Sequence, residues 1–75
     1  MLNKEIIEKK LVEFEELVKE MRATKKNNLK MLKKLEEEIR KDIKEYLKST
    51  NNEDVFEFVA DISRRIMLAK KSLYN

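Results

Sequence analysis

The chain has 75 residues, of which 44% are charged, a formal net charge of +3 at pH 7, and no Gly, Pro, Cys or His. The lack of Cys and His excludes disulfides and the usual zinc ligands, and the lack of Gly excludes Rossmann and Walker phosphate loops. No stretch approaches the roughly 20 apolar residues of a membrane span, and the charged first residues do not resemble a signal peptide. We therefore expect one soluble, cytoplasmic helical domain over residues 1–75, without cofactor or metal.

The first third of the chain shows explicit helical periodicity. Its apolar residues recur at alternating spacings of four and three, which places them on one face of a helix: Ile7, Leu11, Phe14, Val18 and Met21. Asn3 is a suitable N-cap, so the pattern predicts a helix over residues 3–23. Polar residues 24–28 then interrupt the stripe, and Asn27 or Asn28 can cap the next helix.

A second apolar stripe predicts a helix over residues 28–48. Its members are Leu29, Leu32, Leu35, Ile39, Ile43, Tyr46 and Leu47. The polar turn that follows has capping-box spacing between Thr50 and Glu53, and again between Asn51 and Asp54. This spacing predicts the start of a further helix.

The third stripe predicts a helix over residues 52–73. Its members are Val55, Val59, Ile62, Ile66, Ala69 and Leu73. Three helices of about 20 residues joined by short turns favour an all-α antiparallel three-helix bundle. The buried residues at its mid-height are predicted to be Phe14, Leu35, Ile39, Ile62 and Ile66.

An alternative fold follows from the phases of the first two stripes, which nearly coincide. An unbroken helix through residues 24–28 would carry both stripes. The chain would then be a long helical hairpin that buries its stripe only as a swapped or coiled-coil dimer.

The titratable residues offer no catalytic arrangement. The consecutive acids at 36–38 point about 100° apart on a helix, so they form no dyad, and the serines have no His to activate them. The carboxylates lack the loop spacing of a calcium site. Arg22, Arg64 and Arg65 lie outside the apolar stripes and are predicted to face water, which argues against a small helical mutase. We expect no enzymatic activity and no small-molecule substrate.

Six cations are predicted to gather at one end of the bundle, and we call them the basic pole: Arg22, Lys25, Lys26, Lys30, Lys70 and Lys71. The helix dipole explains cations near helix C-termini. It does not explain Lys25, Lys26 and Lys30 at the start of the second helix, where anions are favoured. The basic pole is therefore a candidate phosphate or nucleic-acid contact, although no aromatic residue accompanies these lysines.

The third helix carries a second row of residues about 100° from its core stripe. We call this row the outer stripe: Phe56, Ala60, Ser63, Met67 and Tyr74. It is either a wide core face or a contact surface for another protein. The leading hypothesis is a small non-enzymatic helical interaction module, a regulator, adaptor or assembly factor that forms a homo-oligomer through the third helix or docks another protein. The alternative is a nucleic-acid or phosphate-binding accessory protein that uses the basic pole.

Overall fold

The structure is a computed structural model that describes residues 3–50 and 53–74. Over these ranges the chain forms three α-helices: α1 (Lys4–Thr24), α2 (Leu29–Ser49) and α3 (Glu53–Ser72). They pack as an all-α three-helix bundle, which confirms the predicted fold class. Each predicted helix end lies within one residue of the observed end. Of the residues predicted to cap α3, Asn51 lies outside the described ranges.

The start and end of α1 follow from side chains that replace missing backbone hydrogen bonds. Asn3 has an extended backbone (φ −139°, ψ 174°), and its side-chain oxygen accepts from the Ile6 N–H at 3.0 Å, as an N-cap does. At the other end Lys25 adopts the left-handed conformation (φ 57°, ψ 23°), which glycine most often adopts at the position after a helix. The Thr24 hydroxyl donates to the Glu20 carbonyl at 2.8 Å. The helix therefore ends sharply without a glycine.

The turn after α1 decides between the two predicted folds. A left-handed residue at position 25 reverses the chain, so α1 and α2 are separate helices packed against each other and not one long helix. Of the two predicted capping residues, Asn27 accepts from the Leu29 N–H at 3.2 Å, whereas Asn28 makes no side-chain capping bond.

The core lies along the inner stripes of the three helices. Its buried apolar residues are Ile7, Leu11, Phe14, Val18, Met21, Leu32, Ile39, Ile43, Tyr46, Val55, Ile62 and Ile66. The α1 stripe is thus buried completely, as predicted. Of the five residues predicted at mid-height, Leu35 is the exception, because it is only half-buried. It lies at the edge of α2 and borders an open groove with Leu17 of α1.

The first helix is the common partner of the other two. It contacts α2 and α3 more extensively than α2 and α3 contact each other. The side of the bundle between α2 and α3 is therefore the most open of the three. No described helix is long and apolar enough to cross a membrane.

Candidate interaction surface

The outer stripe of α3 faces away from the core. All five of its residues are exposed, and the exposed fractions of the large ones are 74% for Phe56, 62% for Met67 and 78% for Tyr74, which lies in the turn after the end of α3. The core stripe of the same helix is covered by α1 and α2, as Ile62 and Ile66 show. The outer stripe is therefore not a wide core face, and it leaves two aromatic rings and a thioether in water.

Two leucines of α2 enlarge the exposed apolar area, although their stripe predicts them to be core. Leu29 is 45% exposed and Leu47 is 40% exposed, at opposite ends of the helix. The two leucines are 18 residues apart, so they share one face of α2, and α2 contacts α3 less than it contacts α1. Leu29 lines the same open cavity as Leu73 and Tyr74. The prediction that both leucines are buried was wrong, because it treated every apolar residue of the stripe as lying at the middle of the buried face of α2.

Acidic partners neutralise several cations near the outer stripe. Lys70 Nζ lies 3.0 Å from a carboxylate oxygen of Glu36 on α2, and that carboxylate also contacts Arg40 at 3.5 Å. Arg64 donates to Asp61 one turn earlier at 2.9 Å. The exposed apolar residues of α3 are thus bordered by paired charges.

The structure brings part of the basic pole together. Arg22, Lys25 and Lys26 line an open cavity of about 510 Å³, together with Tyr74 and Leu29. An aromatic ring thus accompanies these cations, which the sequence order did not reveal. The first turn of α2, next to this cavity, contains no acidic residue.

The other three cations of the basic pole do not line that cavity. Lys70 lies in a neighbouring cavity, paired with Glu36. Lys30 and Lys71 are exposed. Three of the six residues of the basic pole therefore line one cavity together.

The prediction that Arg65 faces water was wrong. Its guanidinium is half-buried between α1 and α3 and donates to both carboxylate oxygens of Glu15, at 2.6 and 3.3 Å. This hydrogen-bonded pair raises the pKa of Arg65 above its ordinary value. The other two arginines, Arg22 and Arg64, are exposed as predicted.

Sequence reasoning also missed a polar pair between α1 and α2. Asp42 is buried, and Lys10 donates to its carboxylate at 2.5 Å. The hydrogen bond to Asp42 raises the pKa of Lys10. The signal in the sequence is that Asp42 lies between Ile39 and Tyr46 at the edge of the α2 stripe, where a charge requires a partner.

The described residues contain no group of three acidic side chains placed to hold a metal ion. Within the same ranges, every buried side-chain nitrogen and oxygen has a hydrogen-bond partner. Comparisons with known proteins add no relative, since no family model, no curated protein and no solved structure matches the chain.

Proposed function

We propose that this chain is a non-enzymatic protein–protein interaction module, a small regulator, adaptor or assembly factor that self-associates through α3. The observation that carries the proposal is the exposure of the outer stripe. Phe, Tyr and Met are enriched at protein interfaces, and exposed apolar patches on soluble proteins mark contact sites. Met67 is 62% exposed, and its flexible thioether can adapt to a partner surface.

Three side chains of the outer stripe, Phe56, Met67 and Tyr74, supply most of the apolar area that a partner could cover. Fully burying a Phe or Met side chain is worth about 1.5–3 kcal/mol, and Tyr74 adds a ring of similar area. Association itself costs at least about 4 kcal/mol. Covering Phe56, Met67 and Tyr74 together is worth at most about 4.5–9 kcal/mol, which is of the same order as that cost, so a contact made through these side chains alone would be weak and reversible.

Site-specific photocrosslinking tests the proposal. We would place p-benzoylphenylalanine at position 56, irradiate the cells of origin, and compare with the same amino acid at position 12. Val12 is also exposed and apolar, but it lies on α1 outside the outer stripe. We expect a discrete adduct from position 56 and none from position 12, and Met67→Glu in the same chain should abolish it. Equal labelling from both positions would contradict the proposal.

A second candidate function uses the cavity at the basic pole, because Arg22, Lys25 and Lys26 line it together. A polyanion bound there would lose affinity steeply with salt, since each neutralised phosphate contact contributes about one unit to the slope of log affinity against log salt. Changing these three residues to Gln should reduce that slope and leave the fold intact.

The matched control changes three exposed lysines elsewhere to Gln, with the same loss of charge: Lys9, Lys41 and Lys48. Both triple variants would be titrated with duplex DNA and with structured RNA at low salt. No binding by the unmodified protein, or an equal loss in both variants, would exclude a site at this cavity.

A further inference from the structure

The turn after α3 places an aromatic residue beside the basic pole. Helix α3 ends at Ser72, and in the turn that follows the Tyr74 N–H donates to the Lys71 carbonyl at 3.1 Å. Leu73, the residue between Ser72 and Tyr74, is half-buried and packs against the core. The hydrogen bond and the packing of Leu73 together hold Tyr74 at this end of the bundle, although Tyr74 itself stays 78% exposed.

Three cations share a cavity with this tyrosine, and we call them the cavity cations: Arg22, Lys25 and Lys26. They lie at the end of α1 and in the turn after it. None of the described residues that line the cavity is acidic. Its volume of about 510 Å³ is within the range of about 300–1,000 Å³ that ligand sites have, so the cavity can receive a group as large as one nucleotide.

The segment that forms this cavity contains the excess positive charge of the chain. Residues 21–35 include six of the 18 Lys and Arg residues and none of the 15 Asp and Glu residues. The remaining residues carry more acids than bases. Helix α2 begins within the same segment, and its N-terminal end adds the positive end of a helix dipole. Concentrated positive charge of this kind attracts polyanions.

The cavity cations also differ from other cations of the bundle in their charge partners. Lys10, Arg65 and Lys70 each contact a carboxylate of another helix. Within residues 3–50 and 53–74, no ion pair includes a cavity cation. Their charges are therefore available to an anionic ligand, and Arg and Lys side chains bind phosphate groups in this way.

The tyrosine ring indicates which phosphate ligand fits the cavity. In a duplex the bases are stacked on one another, whereas in a single strand they can leave the stack and lie against an aromatic side chain. Among the described residues, Tyr74 takes part in neither an aromatic pair nor a cation–π contact. Its ring is therefore free to stack with an unpaired base while the cavity cations contact the adjoining phosphates.

We infer that this cavity binds a single-stranded nucleic acid, with an unpaired base stacked on Tyr74 and the neighbouring phosphates bound by the cavity cations. The inference rests on the second candidate function and names its ligand. Sequence preference should be small, because every base has a face that can stack. RNA and DNA strands share this chemistry, so both are used as probes.

Fluorescence anisotropy with labelled oligonucleotides tests the contribution of the base. Oligothymidylate and oligouridylate of about 12 nucleotides would each be compared with an abasic strand of equal length, which keeps the phosphates. We expect at least one of the two base-containing strands to bind at least about fivefold more tightly than the abasic strand, since one stacked base contributes a factor of that size. Tighter binding of oligouridylate would identify RNA as the strand, and tighter binding of oligothymidylate would identify DNA.

Variants of the cavity separate stacking from charge. Tyr74→Ala should weaken the binding of the strand by at least about fivefold and leave its salt dependence unchanged, because a stacked base is not a charge contact. Changing the cavity cations to Gln should instead reduce the slope of log affinity against log salt by about two units, at about 0.7 for each contact with a single strand. Tyr74→Phe keeps the ring and should keep the affinity.

The matched control for Tyr74→Ala is Phe56→Ala. Phe56 is also a highly exposed aromatic residue of the same end of the sequence, but it does not line the cavity. Phe56→Ala should leave the binding of the strand unchanged. An equal loss of affinity in the two variants would overturn the inference. Circular dichroism would verify that both variants stay helical.

A single tryptophan reports stacking directly, because the chain has no Trp of its own. In Tyr74→Trp protein, a base stacked on the indole should quench its emission when oligothymidylate or oligouridylate is added. A duplex of equal length has no unpaired base and should leave the emission unchanged. Phe56→Trp is the control and should show no quenching with any strand. Equal quenching at positions 56 and 74 would overturn the inference.

Binding that does not depend on the base would separate the inference from the second candidate function. Equal affinity for base-containing and abasic strands, unaffected by Tyr74→Ala, would overturn the inference but leave a phosphate site at the cavity. No binding of any strand or duplex at low salt would overturn both. The photocrosslinking at position 56 would be unaffected by either result.

Discussion

At the scale of single residues, the buried carboxylate of Asp42 shows how this small bundle accommodates a charge. Only 8% of the residue is exposed, and the Lys10 ammonium contacts it from α1 at 2.5 Å. An unpaired carboxylate at such a site is costly, whereas a paired one is close to neutral when compared with an apolar residue of similar size. Removing one partner of the pair should therefore destabilise the protein more than replacing both partners by apolar residues.

The first prediction is that the effects of changing Lys10 and Asp42 are not additive. Lys10→Met should lower the free energy of unfolding by about 1–3 kcal/mol, because Asp42 would remain buried without its partner. Adding Asp42→Leu should recover most of that loss. Urea denaturation of the two single variants, the double variant and the parent gives the coupling energy. Simple additivity would mean that the two side chains do not interact.

The second prediction concerns alkaline pH. Hydrogen bonding to Asp42 raises the pKa of Lys10 above its unfolded value of about 10.4. The resulting stabilisation is complete below the unfolded pKa and is lost as pH rises through the higher folded pKa. We therefore expect the parent to lose stability more steeply than Lys10→Met above about pH 10.5. Urea titrations between pH 9 and pH 11.5 would measure this, and parallel profiles for the two proteins would contradict it.

At the scale of helices and turns, the boundary between α1 and α2 depends on a lysine in a conformation that suits glycine. Lys25 is the one described residue with positive φ. A side chain with a Cβ pays a steric cost in this region, so the turn forms against the local preference of residue 25. The packing of α2 back onto α1 compensates for that cost.

The third prediction follows from this turn. Lys25→Gly should stabilise the protein by about 0.5–1 kcal/mol, because relief of the steric cost outweighs the added freedom of glycine in the unfolded chain. Lys26→Gly is the matched control and should destabilise by about the same amount, since position 26 has no positive φ to relieve. Thermal unfolding would compare both with the parent. Destabilisation by both variants would indicate a continuous helix through this segment.

Spacing along the sequence predicted the burial of side chains well for α1 and less well for α2. Spacing identified the α1 stripe correctly because Ile7, Leu11 and Phe14 lie in a narrow arc between two neighbouring helices. It overestimated the burial of Leu29 and Leu47, because their exposure depends on how closely α3 approaches α2. The apolar periodicity within one helix gives no information about the distance between two helices.

The same limit applies to the candidate site. Four residues of the outer stripe could be located from the sequence, because they share one face of a single helix, and Tyr74 follows in the turn after that helix. The pairing of Arg65 with Glu15, and the neighbourhood of Tyr74 and Lys25, could not be located in this way. Both depend on the axial alignment and rotation of two helices, which only their packing determines.

At the scale of the whole molecule, stability depends on a small core. A domain of this length has a free energy of unfolding of roughly 4–11 kcal/mol, at about 0.05–0.15 kcal/mol per residue. Ile62 of α3 is fully buried and packs in that core with residues of α1 and α2. One truncation in the core can therefore remove a large part of the total stability.

The fourth prediction applies this estimate. Ile62→Ala should cost about 2–5 kcal/mol and lower the Tm by roughly 10 °C or more. Leu68→Ala on the same helix is the matched control, because Leu68 is exposed and its truncation should cost no more than about 0.5 kcal/mol. Equal melting of the two variants would show that α3 is rotated relative to the bundle described above.

The central position of α1 has a consequence for synthesis of the chain. It precedes both of its packing partners in sequence, so it leaves the ribosome before either side of its apolar face can be covered. A hairpin of α1 and α2 covers one side, and the face that later receives α3 stays bare until some twenty further residues have been added. Each nascent chain therefore passes through a stage in which one side of the α1–α2 hairpin exposes apolar surface. Chaperones recognise apolar surface of that kind during translation.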